Sequence, residues 1–248
     1  MKHKTLYILL PLIVLLSLDA CNTPGIDEQF CNEMEREVAV RNCRNYQTKR
    51  RWNNIHRKLS VRSLENLRSG CISPFDSIFM EHARDLGWDW TLLASLAYQE
   101  SHFIDTIRSR SGACGLMGIM PRTAVALDIP MEEIFHPGIN VRTGVEVLRR
   151  FRKGFSHVSD SLQLVKFTLA AYNAGLGHIQ DACRLAEKYG DSPDVWDGSV
   201  SYYILLKSDS VYYTDSLCIF GHLNGRRVYR YVREVLEREK YYKFRIDN

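Results

Sequence analysis

A single glutamate stands where the sequence pattern calls for an apolar side chain. Between Asp89 and Ser101, the residues Leu93, Leu96, Ala97 and Glu100 follow the i, i+3, i+4, i+7 spacing of one helix face. Burial disfavours a charged carboxylate, and the negative end of the helix dipole acts in the same direction, so we expect a raised pKa for Glu100. A carboxylic acid that stays protonated near neutral pH can donate its proton to a glycosidic oxygen.

Two other interpretations of Glu100 are open from spacing alone. The side chain could turn its carboxylate to solvent, or it could pair with Arg108 or Arg110 in the following segment. A second catalytic carboxylate would have to lie about 5 to 9.5 Å from the first. Asp105 is the nearest candidate in sequence, and we expect it to serve the loop instead. Chemistry with one carboxyl group is therefore favoured.

Four short segments, in a fixed order, surround this glutamate. They are Glu100-Ser101, then Ser109-x-x-Gly112-Ala113-x-Gly115-Leu116-Met117-x-Ile119-Met120-Pro121, then Asn140-Val141-x-x-Gly144, and finally Ala171-Tyr172-Asn173-Ala174-Gly175. Together they resemble the transglycosylase domain that soluble and membrane-bound lytic transglycosylases share, which is related to goose-type lysozyme. The resemblance runs from about Pro74 to Val235.

This resemblance implies an enzyme that cleaves the MurNAc-GlcNAc β-1,4 bond of peptidoglycan glycan strands and forms 1,6-anhydro-MurNAc. Glu100 would be the only catalytic residue, with no metal and no other cofactor. The implied substrate-binding positions are Ser109, Met117, Gly118, Met120, Tyr172, Asn173 and Tyr231. Two alternatives stay open: a lysozyme-like hydrolase in which water attacks, and a glycan-binding lipoprotein without catalysis.

Two glycines, and two positions at which the sequence departs from the family pattern, affect the expected contacts with the substrate. Gly112 and Gly115 are expected to let the backbone approach a sugar closely, because they lack a Cβ. Gly118 stands where the family usually has glutamine, so a side-chain hydrogen bond to substrate is missing or replaced. Arg227 stands where the family has an acidic residue, four residues before the matching Tyr231.

The first residues predict export. Lys2 and Lys4 precede the apolar run Leu6–Leu18, which is shorter than the roughly 20 residues that a membrane-spanning helix needs. The run ends in Leu18-Asp19-Ala20-Cys21, which resembles a lipobox, so Cys21 is the predicted lipidation site. We expect anchoring in the cell envelope, facing the periplasm, with the outer membrane favoured. An ordinary cleavable signal peptide or a core segment are the alternatives.

The remaining chain is predicted to form one mainly α, lysozyme-like domain. Of its 248 residues, 45% are hydrophobic and 25% charged, enough for one core. The expected divisions are a signal peptide at 1–20, a spacer with accessory helices at 21–72, and the transglycosylase domain at 73–242. The formal net charge of +4 is weakly informative, and no nucleic-acid partner is expected. A basic run at 49–68 is either a solvated face or a contact to anionic wall polymer or lipid. Besides Cys21, six cysteines permit up to three disulfides.

Capping residues and apolar spacing predict the helices of this domain. The expected segments are Ser73 to Gly87, Asp89 to Ser101, a start at Pro121, Asn140 to Phe151, Asp160 to Ala174, Leu176 to Tyr189, and Val228 to Lys240. The tyrosine-rich stretch from Tyr202 to Phe220 could hold a short hairpin or more helix. Gly175 is the predicted end of its helix, so that the polar tips of Tyr172 and Asn173 can point into a cleft.

Overall fold

The computed structural model describes residues 70–247, and this part of the chain is mainly helical. The helices are α1 (Asp76–Ala83), α2 (Trp90–Ser101), α3 (Pro121–Val125), α4 (Pro137–Lys153), α5 (Ser161–Ala174), α6 (Leu176–Lys188), α7 (Ser201–Leu206), α8 (Ser210–Tyr213) and α9 (Gly225–Asp247). The extended pairing among the described residues consists of isolated bridges within the segment 108–119. The prediction of a mainly α domain is confirmed. The predicted signal peptide, lipidation site, basic run and most of the spacer lie outside the described residues.

Two aspartates lie at the starts of the first two helices. Helix α1 begins at Asp76, after a turn at Pro74 and Phe75. Asp76 accepts hydrogen bonds from the backbone N–H groups of Ile72 and Ser73, which hold the preceding chain against the start of the helix. The start at Asp76 differs from the predicted start at Pro74. Asp89 caps α2 as predicted, because its carboxylate accepts the N–H of Thr91.

Helix α2 lies in the core. Leu93, Leu96 and Ala97 are completely buried, as the apolar spacing predicts. The long C-terminal helix α9 packs against α2, α5 and α7, while α1 and α4 pack on the other side of the same core. Within residues 70–247, none of the helices has both the length and the apolar character that crossing a bilayer requires.

A buried ion pair fixes the segment that leads into α9. Asp181 of α6 and Lys207, which follows α7, are both fully buried and bonded to each other. Asp181 also accepts the N–H groups of Ile219 and Phe220, while Lys207 donates to the Phe220 carbonyl. Burial of Asp181 acts to raise its pKa, but the hydrogen bonds from Lys207 and the backbone outweigh it and lower that pKa. Gly225 then starts α9 against the Ile204 carbonyl, where a Cβ would lie only 1.8 Å from the oxygen.

The cysteines of the described region are thiols. Cys71, Cys114, Cys183 and Cys218 are all free, so none of them takes part in the disulfides that the even cysteine count permitted. Cys31 and Cys43 lie outside the described residues.

Candidate active site

Glu100 occupies the last turn of α2, with its carboxyl group partly buried. The next residue, Ser101, is buried and closes the helix through a hydrogen bond to the Ala97 carbonyl. Burial raises the pKa of Glu100 to about 7, although a hydrogen bond from Tyr231 and the positive charge of Arg227 both act to lower it. The expected raised pKa is thus found, and near neutral pH a substantial share of Glu100 carries the proton.

Tyr231 of α9 contacts this carboxyl group directly. Its hydroxyl donates a hydrogen bond to Oε1 of Glu100, and its side chain is almost fully buried. Burial and the nearby Glu100 charge keep the pKa of Tyr231 well above its usual range, so the hydroxyl stays a donor. Glu100 therefore pairs with a tyrosine from a distant part of the sequence and with neither Arg108 nor Arg110.

The second carboxyl oxygen of Glu100 faces the glycine-rich loop. Gly118 has a φ of +61°, and a Cβ at this position would lie 2.8 Å from Oε2 of Glu100. A larger residue would need both a strained backbone and a displaced carboxyl group. The family's glutamine at this position would thus not fit the observed arrangement unchanged, and Gly118 leaves the space beside Oε2 without a side chain.

Asn140, buried in α4, holds this loop in place. Its side chain accepts the Met117 N–H at 2.7 Å and donates to the carbonyls of Cys114 and Ile134 at 3.0 and 2.7 Å. A Cβ on Gly115 would lie 2.3 Å from Nδ2 of Asn140. The expectation that Gly115 serves the approach of a sugar is therefore wrong: the missing Cβ admits the Asn140 amide.

Gly144 has a similar packing role towards Met117. A Cβ on Gly144 would lie 2.8 Å from Cβ and Cε of Met117, whose side chain is fully buried. The Met117 side chain thus lies in the core and not on a surface that a sugar could contact. Its backbone carbonyl accepts a hydrogen bond from the Tyr172 hydroxyl at 2.7 Å.

Tyr172 completes the group around the acid. It lies near the end of α5, which Gly175 terminates as predicted, with a φ of +91°. Burial and, second, the charge of Glu100 raise the pKa of Tyr172 well above its usual range. Tyr172 is therefore a neutral donor close to Glu100. Asn173, the next residue, is half-buried.

The other predicted positions lie further along the loop. Ser109 is exposed, and its hydroxyl accepts the Ala113 N–H at 2.9 Å, which shapes the loop. Met120 is half-buried and immediately precedes α3. Asp105 lies in the turn after α2. The structure thus gathers Glu100, Gly118, Tyr172 and Tyr231 at one place, and the site-residue roles stay predictions.

Sequence reasoning missed two residues that belong to this arrangement. Asn140 is part of a quoted motif, but its role as the anchor of the loop depends on contacts across more than twenty positions. Arg227 was noted only as a departure from the family pattern, whereas its charge acts on Glu100. The spacing of four between Arg227 and Tyr231 was the signal, because residues four apart share a helix face.

Part of the chain is similar to known proteins. Residues 77–195 match the family described as the transglycosylase SLT domain. The chain is 33% identical over 150 residues to a membrane-bound lytic murein transglycosylase F of Desulfosudis oleivorans, which covers 60% of this chain and 32% of that protein. It is 34% identical over 161 residues to the protein of the same name from Yersinia pestis, covering 65% and 32%. The matches thus span about a third of the length of these relatives.

Solved structures with some similarity include two lytic transglycosylases. The Slt protein of Pseudomonas aeruginosa aligns with a TM-score of 0.48 and 21% identity, over 70% of this chain and 25% of that one. The 70 kDa soluble lytic transglycosylase of Escherichia coli aligns with a TM-score of 0.46 and 23% identity, over 68% and 24% of the two chains.

Proposed function

We propose that this protein is a lytic transglycosylase that cleaves the MurNAc-GlcNAc β-1,4 bond of peptidoglycan, with Glu100 as its catalytic acid and base. The observation that carries the proposal is the state of Glu100. Its pKa is raised to about 7, and its carboxyl group lies between the Tyr231 hydroxyl and Gly118 at the end of a buried helix. The names of the relatives, membrane-bound lytic murein transglycosylase F, support the same class of reaction.

The proposed reaction uses this one carboxyl group twice. Protonated Glu100 donates its proton to the oxygen that leaves C1 of N-acetylmuramic acid, and the C1–O bond breaks. The sugar's own 2-acetamido group stabilises the positive charge that develops at C1. The Glu100 carboxylate then removes the proton of the C6 hydroxyl, whose oxygen bonds to C1 and closes the 1,6-anhydro ring. Water is not consumed, and Glu100 ends protonated as it began.

The surrounding groups suit both halves of this cycle. A pKa near the working pH lets Glu100 exist in either form. The Tyr231 hydroxyl stabilises the carboxylate after the first proton transfer, and its bond fixes the direction in which the other oxygen faces. The side chains that the structure places around the acid are two tyrosines and an arginine, beside a glycine, so this set provides no second carboxylate.

Substrate binding is proposed for the seven positions around this acid. Gly118, Tyr172 and Tyr231 lie against Glu100 or its immediate partners. Met117 would contribute its backbone, since its side chain is buried. The other three positions are Ser109, Met120 and Asn173, placed on the adjoining loop and helix end.

We also propose that the protein is exported and lipid-anchored through Cys21, facing the periplasm at the outer membrane. The support is the basic start, the short apolar run and the lipobox-like Leu18-Asp19-Ala20-Cys21. Metabolic labelling with a fatty acid should mark the wild-type protein and leave Cys21→Ser unlabelled. Equal labelling of Cys71→Ser and wild type is the control, and a labelled Cys21→Ser would refute the assignment.

Product analysis tests the proposed reaction. Purified sacculi are incubated with the full-length protein or with Glu100→Gln, and the released muropeptides are analysed by mass spectrometry. We expect products with 1,6-anhydro ends from the wild type and none from Glu100→Gln. Products heavier by one water would identify a hydrolase, and a wild type that releases nothing would favour a glycan-binding role.

A further inference from the structure

One edge of α9 follows α2 in an antiparallel row of contacts. Tyr231 donates to Glu100, Glu234 accepts from Gln99 at 3.0 Å, and Arg238 donates to Gln99 at 2.9 Å. Further along, Lys243 lies 3.6 Å from Asp89, at the beginning of α2. Positions along α9 therefore map in reverse order onto positions along α2.

Arg227 extends this row by one turn beyond the end of α2. It precedes Tyr231 by four residues and shares the same edge of the helix. Because α2 ends directly after Glu100 and the row of contacts is antiparallel, Arg227 lies past the end of α2. Its charge reaches that group, since Arg227 is among the causes that lower the pKa of Glu100.

The guanidinium group of Arg227 is available to a ligand. The residue is exposed, and none of the ion pairs or side-chain hydrogen bonds within residues 70–247 involves its guanidinium. By contrast, Arg238 in the same row is bonded to Gln99 and lies over the Tyr98 ring. A guanidinium presents several N–H donors in a planar fork that fits a carboxylate.

We propose that Arg227 is a substrate-binding residue that recognises a carboxylate carried by the N-acetylmuramic acid unit whose C1 bond is cleaved, either on its lactyl group or on its stem peptide. This inference rests on the proposed function. In peptidoglycan, N-acetylglucosamine is neutral, whereas N-acetylmuramic acid bears a lactyl ether. Its carboxylate is free when the strand carries no peptide and is amide-linked when it does. The carboxylate can thus come from the lactyl group of a peptide-free strand or from a stem peptide.

Binding to matched glycan strands tests this assignment. Labelled peptide-free strands with free lactyl carboxylates are compared with the same strands after conversion to methylamides, and with strands that carry stem peptides. Fluorescence anisotropy is measured with full-length Glu100→Gln, so that no strand is cleaved. We expect about 5-fold tighter binding of the free carboxylate than of the methylamide, which is the upper range for an exposed ion pair.

Two further variants in the Glu100→Gln background separate Arg227 from general charge effects. Arg227→Gln should bring the ratio of the two dissociation constants to about 1, while Arg227→Lys should keep part of it. Arg226→Gln is the matched control, because Arg226 is exposed in the same helical turn and faces away from the buried side of α9. It should leave the ratio unchanged.

The possible outcomes are distinct. Arg227-dependent preference confined to the peptide-bearing strands would support recognition of a peptide carboxylate. Tight binding of all strands with no effect of Arg227→Gln on any ratio would overturn the inference and leave the proposed function intact. Absence of binding to every strand would count against both. Hydrolytic instead of anhydro products in the separate reaction test would not affect these ratios.

Discussion

Replacing Glu100 with glutamine tests whether burial of this acid destabilises the folded protein. The pKa of Glu100 is raised from an ordinary 4.5 to about 7, because burial disfavours the charged form. The folded state therefore prefers the protonated acid. The stability associated with this group is complete below the unfolded-state pKa of 4.5 and is lost as the pH rises through the folded-state value of about 7.

The size of the effect follows from the two pKa values. The interval between 4.5 and about 7, at about 1.36 kcal/mol per unit, corresponds to about 3 kcal/mol of unfolding free energy. Glutamine has nearly the same shape, can still accept the hydrogen bond from Tyr231, and is neutral at every pH. The variant should match the wild type near pH 4 and exceed its stability by about 3 kcal/mol at about pH 8.

Urea denaturation of both full-length proteins at about pH 4, 6 and 8 measures this difference, and comparison within each pH cancels the contributions of all other groups. Glu132→Gln, which removes a carboxylate from an exposed position, controls for the change in net charge. A stability difference between Glu100→Gln and wild type that stays constant across this range would refute the reasoning. So would a variant that is the less stable protein at about pH 8.

Three further substitutions test contacts at the site and in the core that supports it. Tyr231→Phe removes a hydrogen bond that lowers the pKa of Glu100. In an assay of sacculus solubilisation against pH, the alkaline limb should therefore shift to higher pH by about one pH unit. An alkaline limb at the wild-type pH would contradict this. Asn140→Ala removes three buried hydrogen bonds from the loop. Urea denaturation should show that the free energy of unfolding falls by about 3 kcal/mol. An unchanged denaturation midpoint would contradict this. Lys207→Met removes one of the two cations bonded to the buried Asp181 carboxylate, which keeps Arg184 and the N–H groups of Ile219 and Phe220. Thermal denaturation should report a loss of about 2 kcal/mol, and a Tm equal to that of the wild type would contradict this.

Helix α2 and its acid were predictable because each local signal pointed to the same structure. Asp89 supplies a cap, and the apolar residues before Glu100 repeat with helical spacing. Where such signals were weaker, the predicted boundaries failed. Helix α9 runs from Gly225 to Asp247 and not from Val228 to Lys240, because its ends are rich in charged residues, which give little apolar periodicity. The tyrosine-rich stretch contains the helices α7 and α8, which aromatic composition alone could not separate from strands.

The packing around the glycines could not be predicted from the local sequence, for a different reason. A glycine pattern indicates that a Cβ would be in the way, but it does not indicate what would meet it. At Gly115 the neighbour is Asn140, and at Gly144 it is Met117. Both neighbours are protein side chains from distant positions in the sequence. For Gly115, the prediction was that the neighbour would be a sugar. Gly118 alone among these three faces the acid.

The register of α9 on α2 determines what surrounds Glu100. A slip of α9 by one residue would present Arg230 or Val232 to the acid, so that the carboxyl would gain a cation or lose its hydrogen bond. Two sets of contacts oppose this slip. Gln99 forms hydrogen bonds with α9, and Gly225 packs on the Ile204 carbonyl at the start of the helix. The same register that brings Tyr231 to the acid carries Arg227 past it. A change at Arg227 therefore has two expected effects: it removes the proposed contact to a substrate carboxylate, and it raises the pKa of Glu100, because the charge of Arg227 acts to lower that pKa.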